Sequence, residues 1–567
     1  MRFGRNGSRR DPEIAPDEIF LDASASGFDR ARFEGRIERP LSRASYLALS
    51  SALTLGLLIL LGQAVNLELV RGNVFAAESA HNSLDEHTLF APRGVIEDVN
   101  GNIIADNSEA PDGSITREYR LPELGQILGY VSYPKKDANG NFYDTAETGV
   151  AGLEAEYDDL LSGENGRVLT ETDALGKVRS EGTVIPAVEG GTLKLSVDSS
   201  VEKALARAVA DVVRTEHFNA GAGVIFDVRT GRVAAIVSYP SYDPQVMSDG
   251  SPADTIAAYN QDPGHPFLDH AVQGVYTPGS IVKPYVAAGA LSDGIITPST
   301  VIDDPGSLSI PDPYHPGKSF LYTGWRALGL MDVRSAIAWS SDVFFYTVGG
   351  GYKSQKGLGI DRLAYWYRAF GLGTTTGIDL PSEASGIVPD PAWKQKTFDE
   401  DWYTGDTYFT AIGQYGMQVT PVQMARAAAA IANGGKLYAP TLRADAAPSY
   451  ATVPVSPQAL QVVREGMRQG VATPGGLAGA INLPYLSVAA KTGTAQVGAH
   501  NQYDNSWVEG FFPYENPQYS FAVVLERGPT GTGEQAVNVM QEFFDTLHAE
   551  DSAYVGGTGA RAASSTP

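Results

Sequence analysis

Cysteine is absent from the 567 residues of the chain, and basic side chains are scarce. The lack of cysteine excludes disulfides, cysteine-based zinc sites and thiol catalysis. It leaves the compartment open, because many exported bacterial proteins also lack cysteine. Lys and Arg number 42 against 66 Asp and Glu, a net charge of -24. Because cationic side chains must contact nucleic-acid phosphates, this balance argues against a nucleic-acid partner.

Cofactor and metal motifs are missing as well. The stretch "PGKSF" resembles the end of a phosphate-binding loop, but Asp312 stands where that loop needs glycine. The stretch "GLGTTTG" lacks the spacing of a dinucleotide-binding turn. None of the 8 histidines forms an HExxH pair, which argues against a zinc hydrolase. We therefore expect no metal ion and no cofactor.

Charged residues are absent from residues 44–67, the longest apolar run of the chain. A helix of about 20 such residues spans a bilayer, so the run predicts a transmembrane helix at 45–67. Five arginines precede it, at Arg30, Arg32, Arg36, Arg39 and Arg43. The positive-inside rule then predicts that residues 1–44 are a cytoplasmic tail. We expect this single helix to anchor the protein in the cell membrane, with the bulk of the chain on the extracytoplasmic side.

Residues 68–195 predict a β-rich, extended pedestal domain. In "RGVIEDVNGNIIAD", apolar residues flank Asn100-Gly101, a strong signal for a two-residue hairpin. The stretch "GVAGLEAEYDDLLSGENG" predicts a short helix closed by glycine-rich turns. No reactive constellation stands out in this segment.

Residues 196–550 predict the larger domain of an α+β multidomain protein. It opens with an amphipathic helix at "VEKALARAVADVV" and two antiparallel strands, "GVIFDV" and "RVAAIVSYP". Three more strands, "YLSVAAKTGTAQ", "SWVEGFFP" and "YSFAVVLERG", precede a terminal helix. We expect one antiparallel five-stranded sheet flanked by helices, with a helical insertion and a cleft beside it. Residues 551–567 predict a disordered tail.

A Ser-x-x-Lys spacing occurs three times, at Ser132/Lys135, Ser200/Lys203 and Ser280/Lys283. The spacing alone does not select among them, since it also arises from an ordinary helix with a surface lysine. The third pair begins an ordered trio that continues with Ser340-Ser341-Asp342 and Lys491-Thr492-Gly493. Such a trio is typical of serine enzymes that bind penicillin.

Each member of the trio has a chemical reason. A serine hydroxyl needs a base to remove its proton, and a lysine three positions further along a helix lies on the same face. Lys283 must be neutral to serve as that base for Ser280, and burial favours the neutral form. Pro278 predicts that Ser280 begins a helix. We expect Ser340 to relay a proton between the lysines and the leaving group.

The third motif lies at the end of a predicted strand. Lys491 and Thr492 are expected to bind a substrate carboxylate, and Gly493 allows a substrate backbone to approach closely. The backbone N–H groups of Thr494 and Ser280 are expected to form an oxyanion hole.

The resemblance to a known family extends beyond the trio. The stretches "RGVIEDVNG", "GVAGLEAEYDDLLSGENG", "TGRVAAIVSYPSYDP", "YTPGSIVKP", "TPVQMARAAAAIANGG" and "AAKTGTAQ" resemble class B penicillin-binding proteins over about residues 91–548. These are membrane-anchored DD-transpeptidases that cross-link peptidoglycan. The resemblance implies a dimerisation-type pedestal at 68–195 and a penicillin-binding transpeptidase domain at 196–550.

Asp342 stands where most relatives carry Asn. Together with "FFYTVG", "GIVPDPAWK" and "WYTGDT", it makes the chain similar to the elongation-type subset, which builds the side wall and maintains cell shape. An ionised Asp only accepts hydrogen bonds, so we expect Asp342 to act through its charge on the two lysines. Because a carboxylate opposes the work of Lys283 as a base, we expect Asp342 to lie closer to Lys491 or to share a proton within the network.

Two departures from the family pattern are expected to reshape the rim of the cleft. Tyr415 replaces the second glycine of the usual "GQG", and Ala490 replaces a frequent glycine before the lysine. Neither departure removes a catalytic group.

The resemblance implies a mechanism and partners. The penultimate D-Ala of a stem peptide acylates Ser280, the terminal D-Ala leaves, and an amine of a neighbouring stem attacks, with a possible carboxypeptidase side activity. β-Lactams trap the acyl-enzyme. The implied partners are peptidoglycan stem peptides, β-lactams, the lipid bilayer, a membrane-embedded glycan polymerase and other elongation-complex proteins.

Two alternatives stay open. A penicillin-sensing receptor needs a cytoplasmic effector, and the short charged tail before the anchor offers none. A non-catalytic scaffold that activates a glycan polymerase is compatible with the sequence as a second role.

Overall fold

The computed structural model describes residues 42–75, 84–109, 115–138, 142–172, 178–312, 315–531, 535–550 and 552–556. Most of the predicted cytoplasmic and C-terminal tails lies outside these residues. Contacts within the chain define two compact units, one of Met1–Asp85 with Thr170–Glu181 and one of Glu86–Leu169 with Gly182–Pro567. The candidate site lies in the second unit.

The apolar run forms helix α1, Arg43–Val65, and continues into a π-helical turn at Asn66–Val70. Ser42 caps the helix by accepting a hydrogen bond from the Ser45 backbone N–H. Among the described residues, this is the one helix long and apolar enough to cross a membrane, with a mean hydropathy of 2.0. The prediction of an N-terminal apolar helix is therefore confirmed.

The described part of the pedestal segment is made mainly of short strands and short helices. Its strands are β1 Leu84–Leu89, β2 Ile96–Glu97, β3 Ile103–Glu109, β4 Ile115–Tyr119, β5 Val131–Ser132, β6 Lys135–Lys136, β7 Phe142–Asp144, β8 Thr148–Gly149, β9 Gly166–Thr172, β10 Val178–Ile185 and β11 Leu193–Lys194. Its helices are α2 Gly125–Leu128, α3 Gly152–Glu156 and α4 Asp158–Leu161, with a 3-10 turn at Pro122–Leu124.

Local sequence signals in the pedestal are largely confirmed. Strands β2 and β3 pair antiparallel around the turn at Asn100-Gly101, where Gly101 has a φ of 84°. The single short helix predicted near residue 155 is instead two helices. The break falls at Tyr157, whose φ of -109° and ψ of 26° leave the α-helical region.

A buried ion cluster holds the pedestal segment together. Both oxygens of the Glu154 carboxylate are engaged, one by Arg93 at 2.5 Å and the other by Arg117 at 2.8 Å. All three side chains are at most 1% exposed. Removing any one partner would leave a buried charge unpaired, which is far costlier than losing a surface ion pair.

The larger domain alternates helices with strands. Its helices are α5 Ser199–Thr215, α6 Pro244–Asp249, α7 Ala253–Gln261, α8 Lys283–Ser292, α9 Val333–Ala338, α10 Asp342–Gly350, α11 Gly359–Ala369, α12 Pro391–Phe398, α13 Thr404–Ala411, α14 Pro421–Ala432, α15 Pro457–Ala472 and α16 Ala536–Ala549, with 3-10 turns at Gly279–Val282, Gly479–Ile481 and Ala553–Val555. Its strands are β12 Ala220–Asp227, β13 Val233–Tyr239, β14 Ile302–Asp304, β15 Ser307–Pro311, β16 Ser319–Thr323, β17 Gly329–Met331, β18 Lys436–Tyr438, β19 Tyr450–Thr452, β20 Ala489–Val497, β21 Tyr503–Phe512 and β22 Tyr519–Pro529.

Five of these strands form the predicted antiparallel sheet, in the order β13-β12-β22-β21-β20. Strand β12 is buried along nearly its whole length, as expected for a strand covered on both faces. Helices α5 and α16 pack on one face of the sheet. Helices α8, α14 and α15 pack on the other face. Strand β20, which carries the Lys-Thr-Gly motif, is an edge strand.

One hydrophobic core includes residues from both sides of the predicted domain boundary at 195. Leu121 and Leu193 of the pedestal segment belong to the same buried cluster as Val224 of the sheet. Strand β11 pairs with β2, and Leu195 forms a bridge to Arg443. Residues 86–169 and 182–195 of the pedestal segment thus belong to the same compact unit as the larger domain.

Candidate active site

Ser280 lies in a 3-10 turn, Gly279–Val282, immediately before α8. The sequence predicts an α-helix from Ser280, and the difference follows from Pro284. Proline has no N–H, so it cannot donate to the Ser280 carbonyl four residues back. That carbonyl accepts instead from the Lys283 N–H, three residues on, which is a 3-10 bond. Ser280 is half-buried, whereas Ile281 and Val282 are buried.

Lys283 is fully buried, and its ammonium group donates to three oxygen atoms. These are the Ser340 carbonyl at 2.8 Å, Ser340 Oγ at 3.1 Å and Asp342 Oδ1 at 2.7 Å. Burial lowers the pKa of Lys283, and the Asp342 carboxylate opposes that shift. The geometry therefore couples the buried lysine to a serine hydroxyl through one hydrogen bond.

The Ser340-Ser341-Asp342 motif forms the turn between α9 and α10. Ser340 has a φ of 55°, the left-handed conformation that non-glycine residues adopt at a cost, often at functional sites. Ser341 caps α10 by accepting from the Phe344 N–H, and its hydroxyl donates to the buried carboxylate of Asp304. These contacts hold the strained turn against Lys283.

The structure corrects the expected position of Asp342. Its Oδ1 pairs with Lys283 at 2.7 Å, and its Oδ2 accepts from the Trp325 N–H at 3.2 Å. Lys491 forms no salt bridge with any carboxylate of the described chain. The expectation that Asp342 lies closer to Lys491 is wrong, because the turn of Ser340 brings the start of α10 directly over Lys283. Sharing of a proton within the network stays a prediction.

Lys491 and its neighbours lie on the edge strand β20. Lys491 is 2% exposed, and its Nζ donates to the Thr492 carbonyl at 2.6 Å. Burial, followed by repulsion from Lys283, lowers the pKa of Lys491 well below its ordinary value. Charge on Lys283 and charge on Lys491 therefore oppose each other.

Two glycines let the Ser280 turn and strand β20 approach closely. A Cβ on Gly279 would stand 2.7 Å from the Thr494 carbonyl oxygen, and one on Gly493 would stand 2.9 Å from the Pro278 carbonyl oxygen. The missing side chain of Gly493 thus makes room for the chain at Pro278, in addition to any substrate backbone. The turn contact also sets Ser280 beside Thr494, the pair predicted to form an oxyanion hole.

A cleft of about 790 Å³ opens over these segments. It is lined by the predicted residues Ser280, Ser340, Asp342, Thr492, Gly493 and Thr494. Lys283 and Lys491 lie buried beneath this lining. The three motifs, separated by tens to hundreds of residues, therefore meet in one place.

The other two Ser-x-x-Lys pairs lie elsewhere. Ser132 is in strand β5 and the exposed Lys135 is in strand β6, so no helix aligns them. Ser200 donates to Asp198 at the start of α5, and Lys203 is exposed. Neither pair reaches the cleft.

The two departures from the family pattern have different outcomes. Tyr415 lines the cleft with a φ of 60°, and its ring packs edge-on against Trp393 and Trp402. Ala490 is 1% exposed and belongs to the core on the far face of the sheet, with α5 and α16. The prediction that Ala490 reshapes the rim is wrong, because side chains alternate along a strand and Lys491 takes the near face.

Several cleft residues were missed by sequence reasoning. Trp325, Tyr346, Phe409 and Gln414 also line the cleft. No local pattern in the sequence distinguishes them from ordinary core or surface residues. Their positions depend on how the helical insertion folds against the sheet.

The sheet, the strained serine turn and the pair of buried lysines define a serine acyltransferase of the penicillin-binding class. Residues 221–545 match the penicillin binding protein transpeptidase domain, and residues 111–195 match the penicillin-binding protein dimerisation domain. The chain is 34% identical to the peptidoglycan D,D-transpeptidase MrdA of Escherichia coli (strain K12) over 466 residues, 76% of this chain and 70% of that protein.

Two solved structures are similar along most of the chain. The penicillin-binding protein PBP2 of Helicobacter pylori, in complex with MreC, has a TM-score of 0.69 at 25% identity and covers 82% of this chain and 99% of its own. A chain of a peptidoglycan synthase complex has a TM-score of 0.69 at 28% identity and covers 92% of this chain and 100% of its own. This protein belongs to the class B penicillin-binding proteins, in their elongation-type subset of serine D,D-transpeptidases.

Proposed function

We propose that this protein cross-links peptidoglycan stem peptides through an acyl-enzyme on Ser280. The observation that carries the proposal is the meeting of all three motifs at one cleft, with Lys283 buried beneath Ser280 and hydrogen-bonded to Ser340. The names of the relatives supply the reaction class, and the convergence of the three motifs supports the residue roles.

Acylation begins when Ser280 Oγ attacks the carbonyl carbon of the penultimate D-Ala. Lys283 Nζ takes the hydroxyl proton, and the backbone N–H groups of Ser280 and Thr494 stabilise the oxyanion. The C–N bond to the terminal D-Ala then breaks, and its nitrogen receives a proton from Lys283 through Ser340 Oγ. Lys491 and Thr492 bind the carboxylate of the departing D-Ala.

Deacylation repeats the sequence with a new nucleophile. An amine of a neighbouring stem attacks the ester carbonyl, Lys283 accepts the amine proton, and Ser280 Oγ leaves with a proton returned from Lys283. Attack by water instead gives a carboxypeptidase side reaction. A β-lactam acylates Ser280 with opening of its ring, so no fragment departs and the acyl-enzyme persists.

Mass spectrometry after penicillin treatment tests the assignment. The penicillin adduct should map to Ser280, and Ser280→Ala should not be labelled. Ser132→Ala and Ser200→Ala are matched controls from the other two Ser-x-x-Lys pairs, and both should label like the wild type. An adduct on Ser280→Ala, or on another serine, would refute the assignment.

We propose the same domain limits as the sequence predicts, with a pedestal at 68–195 and the transpeptidase domain at 196–550. The matches to the two family models support this division. We also propose that the N-terminus is cytoplasmic and the catalytic domain extracytoplasmic. The arginine-rich flank before α1 supports this orientation.

We further propose that the protein works with a membrane-embedded glycan polymerase and other elongation-complex proteins. Its similarity to a chain of a peptidoglycan synthase complex, along 92% of this chain, supports such a partner. Reconstitution with a polymerase separates the catalytic role from a scaffolding role. Ser280→Ala should abolish cross-links and keep any stimulation of glycan polymerisation, whereas cross-linking by Ser280→Ala would overturn the enzymatic role of this site.

A further inference from the structure

A buried carboxyl group lies directly across the strand pair from the lysine of the Lys-Thr-Gly motif. Glu509 on β21 is the cross-strand partner of Lys491 on β20 and is fully buried. Directly opposite residues of an antiparallel pair project to the same face, with Cβ atoms about 4.5–5.5 Å apart. None of the roles proposed above uses this carboxyl group.

Glu509 also contacts the helix that follows the nucleophile. Tyr285 on α8, two residues after Lys283, donates from its Oη to Glu509 Oε2 at 2.7 Å. The other oxygen, Oε1, is buried and has no hydrogen-bond partner among the described residues. A buried carboxyl oxygen without a partner is costly, so its retention beside a functional lysine calls for an explanation.

The distribution of charge gives that explanation. Asp342 is committed to Lys283, and Lys491 forms no salt bridge within the described part of the chain. Repulsion from Lys283 disfavours the charged form of Lys491, whereas Asp342 and then Glu509 favour it; of these two carboxyl groups, Glu509 is the fully buried one. A buried ammonium without a counter-charge loses its proton, and a lysine must be an ammonium to bind a carboxylate.

The titratable and charged groups near Glu509 are few. Helix α16 packs on the opposite face of the sheet, and on β22 the residue alongside Glu509 is Ala522. Tyr285 on α8 and Lys491 on β20 act on the carboxyl group of Glu509. The other cationic residues of the helices on the near face are Lys283 on α8, Arg426 on α14, and Arg464 and Arg468 on α15. The three arginines donate to the backbone carbonyls of Tyr438, Tyr514 and Val488.

We infer that Glu509 is a positioning residue for the proposed reaction: it is the buried counter-charge that keeps Lys491 an ammonium able to bind a substrate carboxylate. Glu509 acts through space, since Lys491 Nζ itself donates to the Thr492 carbonyl. Burial raises the pKa of Glu509 well above its usual range, the Tyr285 hydroxyl opposes this, and Lys491 opposes it further. Lys491 lowers the pKa of Glu509 and Glu509 raises the pKa of Lys491, so each group offsets part of what burial costs the charged form of the other. The inference rests on the proposed role of Lys491.

The test measures the rate constant for acylation of Ser280 by penicillin as a function of pH, in Glu509→Gln. Glutamine keeps the size of the side chain and still accepts from Tyr285, but it removes the charge. The pKa of Lys491 then falls, so the loss of acylation at alkaline pH should move to lower pH by about one unit. The loss should appear as weaker binding before acylation rather than as slower acylation of bound penicillin.

Penicillin methyl ester provides the matched ligand, because it has no carboxylate for Lys491 to bind. Glu509→Gln should leave its acylation rate within about twofold of wild type at every pH. An equal loss with penicillin and its methyl ester, or an unmoved alkaline limb with penicillin, would overturn the inference. If Glu509→Gln does not fold, Glu509→Asp replaces it. That variant should move the alkaline limb of the acylation profile in the same direction but by less. An alkaline limb that does not move in Glu509→Asp would also overturn the inference.

The tests of Glu509 and of the proposed function can fail independently of each other. Labelling of Ser280→Ala would refute the nucleophile whatever Glu509 does. Loss of labelling in Ser280→Ala with wild-type pH dependence in Glu509→Gln would refute the inference alone.

Discussion

At the scale of single residues, the protonation of Lys283 is the central question. Its three acceptors, at 2.7 to 3.1 Å, match the three donors of an ammonium group. To act as a base, Lys283 must first release one proton, and the Ser340 hydroxyl offers a route toward the cleft. Burial favours this release and Asp342 opposes it, so in the proposed reaction the balance of the two decides the pH at which Lys283 can act as a base.

Replacing Asp342 by Asn tests this balance. The carboxylate raises the pKa of Lys283, so its removal should lower that pKa further. Because the neutral amine is the active form, the acidic limb of the acylation profile should move to lower pH by about one unit. The measurement is the rate constant for labelling Ser280 with a fluorescent penicillin across the pH range.

Asp445→Asn is the matched control for charge. Asp445 is an exposed partner of Arg443, so this variant changes the net charge equally while leaving the cleft untouched. Its profile should coincide with that of the wild type. An Asp342→Asn profile that also coincides would make Asp342 a structural acceptor for Trp325 with no influence on the base.

At the scale of elements, the contact between the Ser280 turn and strand β20 depends on Gly279. Gly279 and Gly294 have similar left-handed conformations, with φ values of 57° and 70°. A Cβ on Gly279 would press on the Thr494 carbonyl, whereas one on Gly294 would meet nothing within 4 Å. Substitution at Gly294 therefore tests the effect of backbone strain alone, whereas substitution at Gly279 tests strain together with the contact to β20.

Alanine at either position should lower the free energy of unfolding by about 1–2 kcal/mol from left-handed strain. Gly279→Ala should in addition push β20 away from Ser280, and a displacement of about 1 Å can slow a reaction roughly hundredfold. Penicillin acylation and thermal unfolding, measured side by side, check both statements. Equal acylation rates in the two variants would show that the turn and β20 adjust without cost.

The pedestal offers a second element-scale test in helix α3. Glu154→Gln leaves Arg93 and Arg117 buried without their shared carboxylate, and should lower the free energy of unfolding by about 3–5 kcal/mol. Glu156→Gln, an exposed position in the same helix, should change it by about 0.5 kcal/mol at most. Denaturant unfolding of the two variants compares them directly, and similar midpoints would mean that the ion cluster adds little stability.

At the scale of the whole molecule, the orientation of α1 decides where the cleft can meet its substrate. The arginines before the helix predict a cytoplasmic N-terminus. A C-terminal fusion to alkaline phosphatase, which is active only outside the cytoplasm, should therefore be active, and a C-terminal fusion to a cytoplasm-only reporter should be silent. The opposite pattern would rule out extracytoplasmic wall synthesis.

Sequence alone predicted the main sheet of this protein and the three motifs that meet at its cleft. The hairpin at Asn100-Gly101 and the five strands of the large sheet follow from turn chemistry and from apolar patterning, which act within a few residues. Ser280 was singled out as the proposed nucleophile by the order of three motifs, since its Ser-x-x-Lys spacing recurs twice elsewhere. Such features can be predicted from the sequence because each depends only on residues that are neighbours along the chain.

Tertiary structure decided which groups meet. Asp342 pairs with Lys283 rather than Lys491, because the turn at Ser340 is left-handed. Ala490 faces the far core because strand register assigns each side chain to one face. Tyr285 and Glu509 are 224 residues apart in sequence, yet they share a hydrogen bond beneath the cleft. Such contacts depend on the packing of a helix against a sheet, which no local pattern specifies.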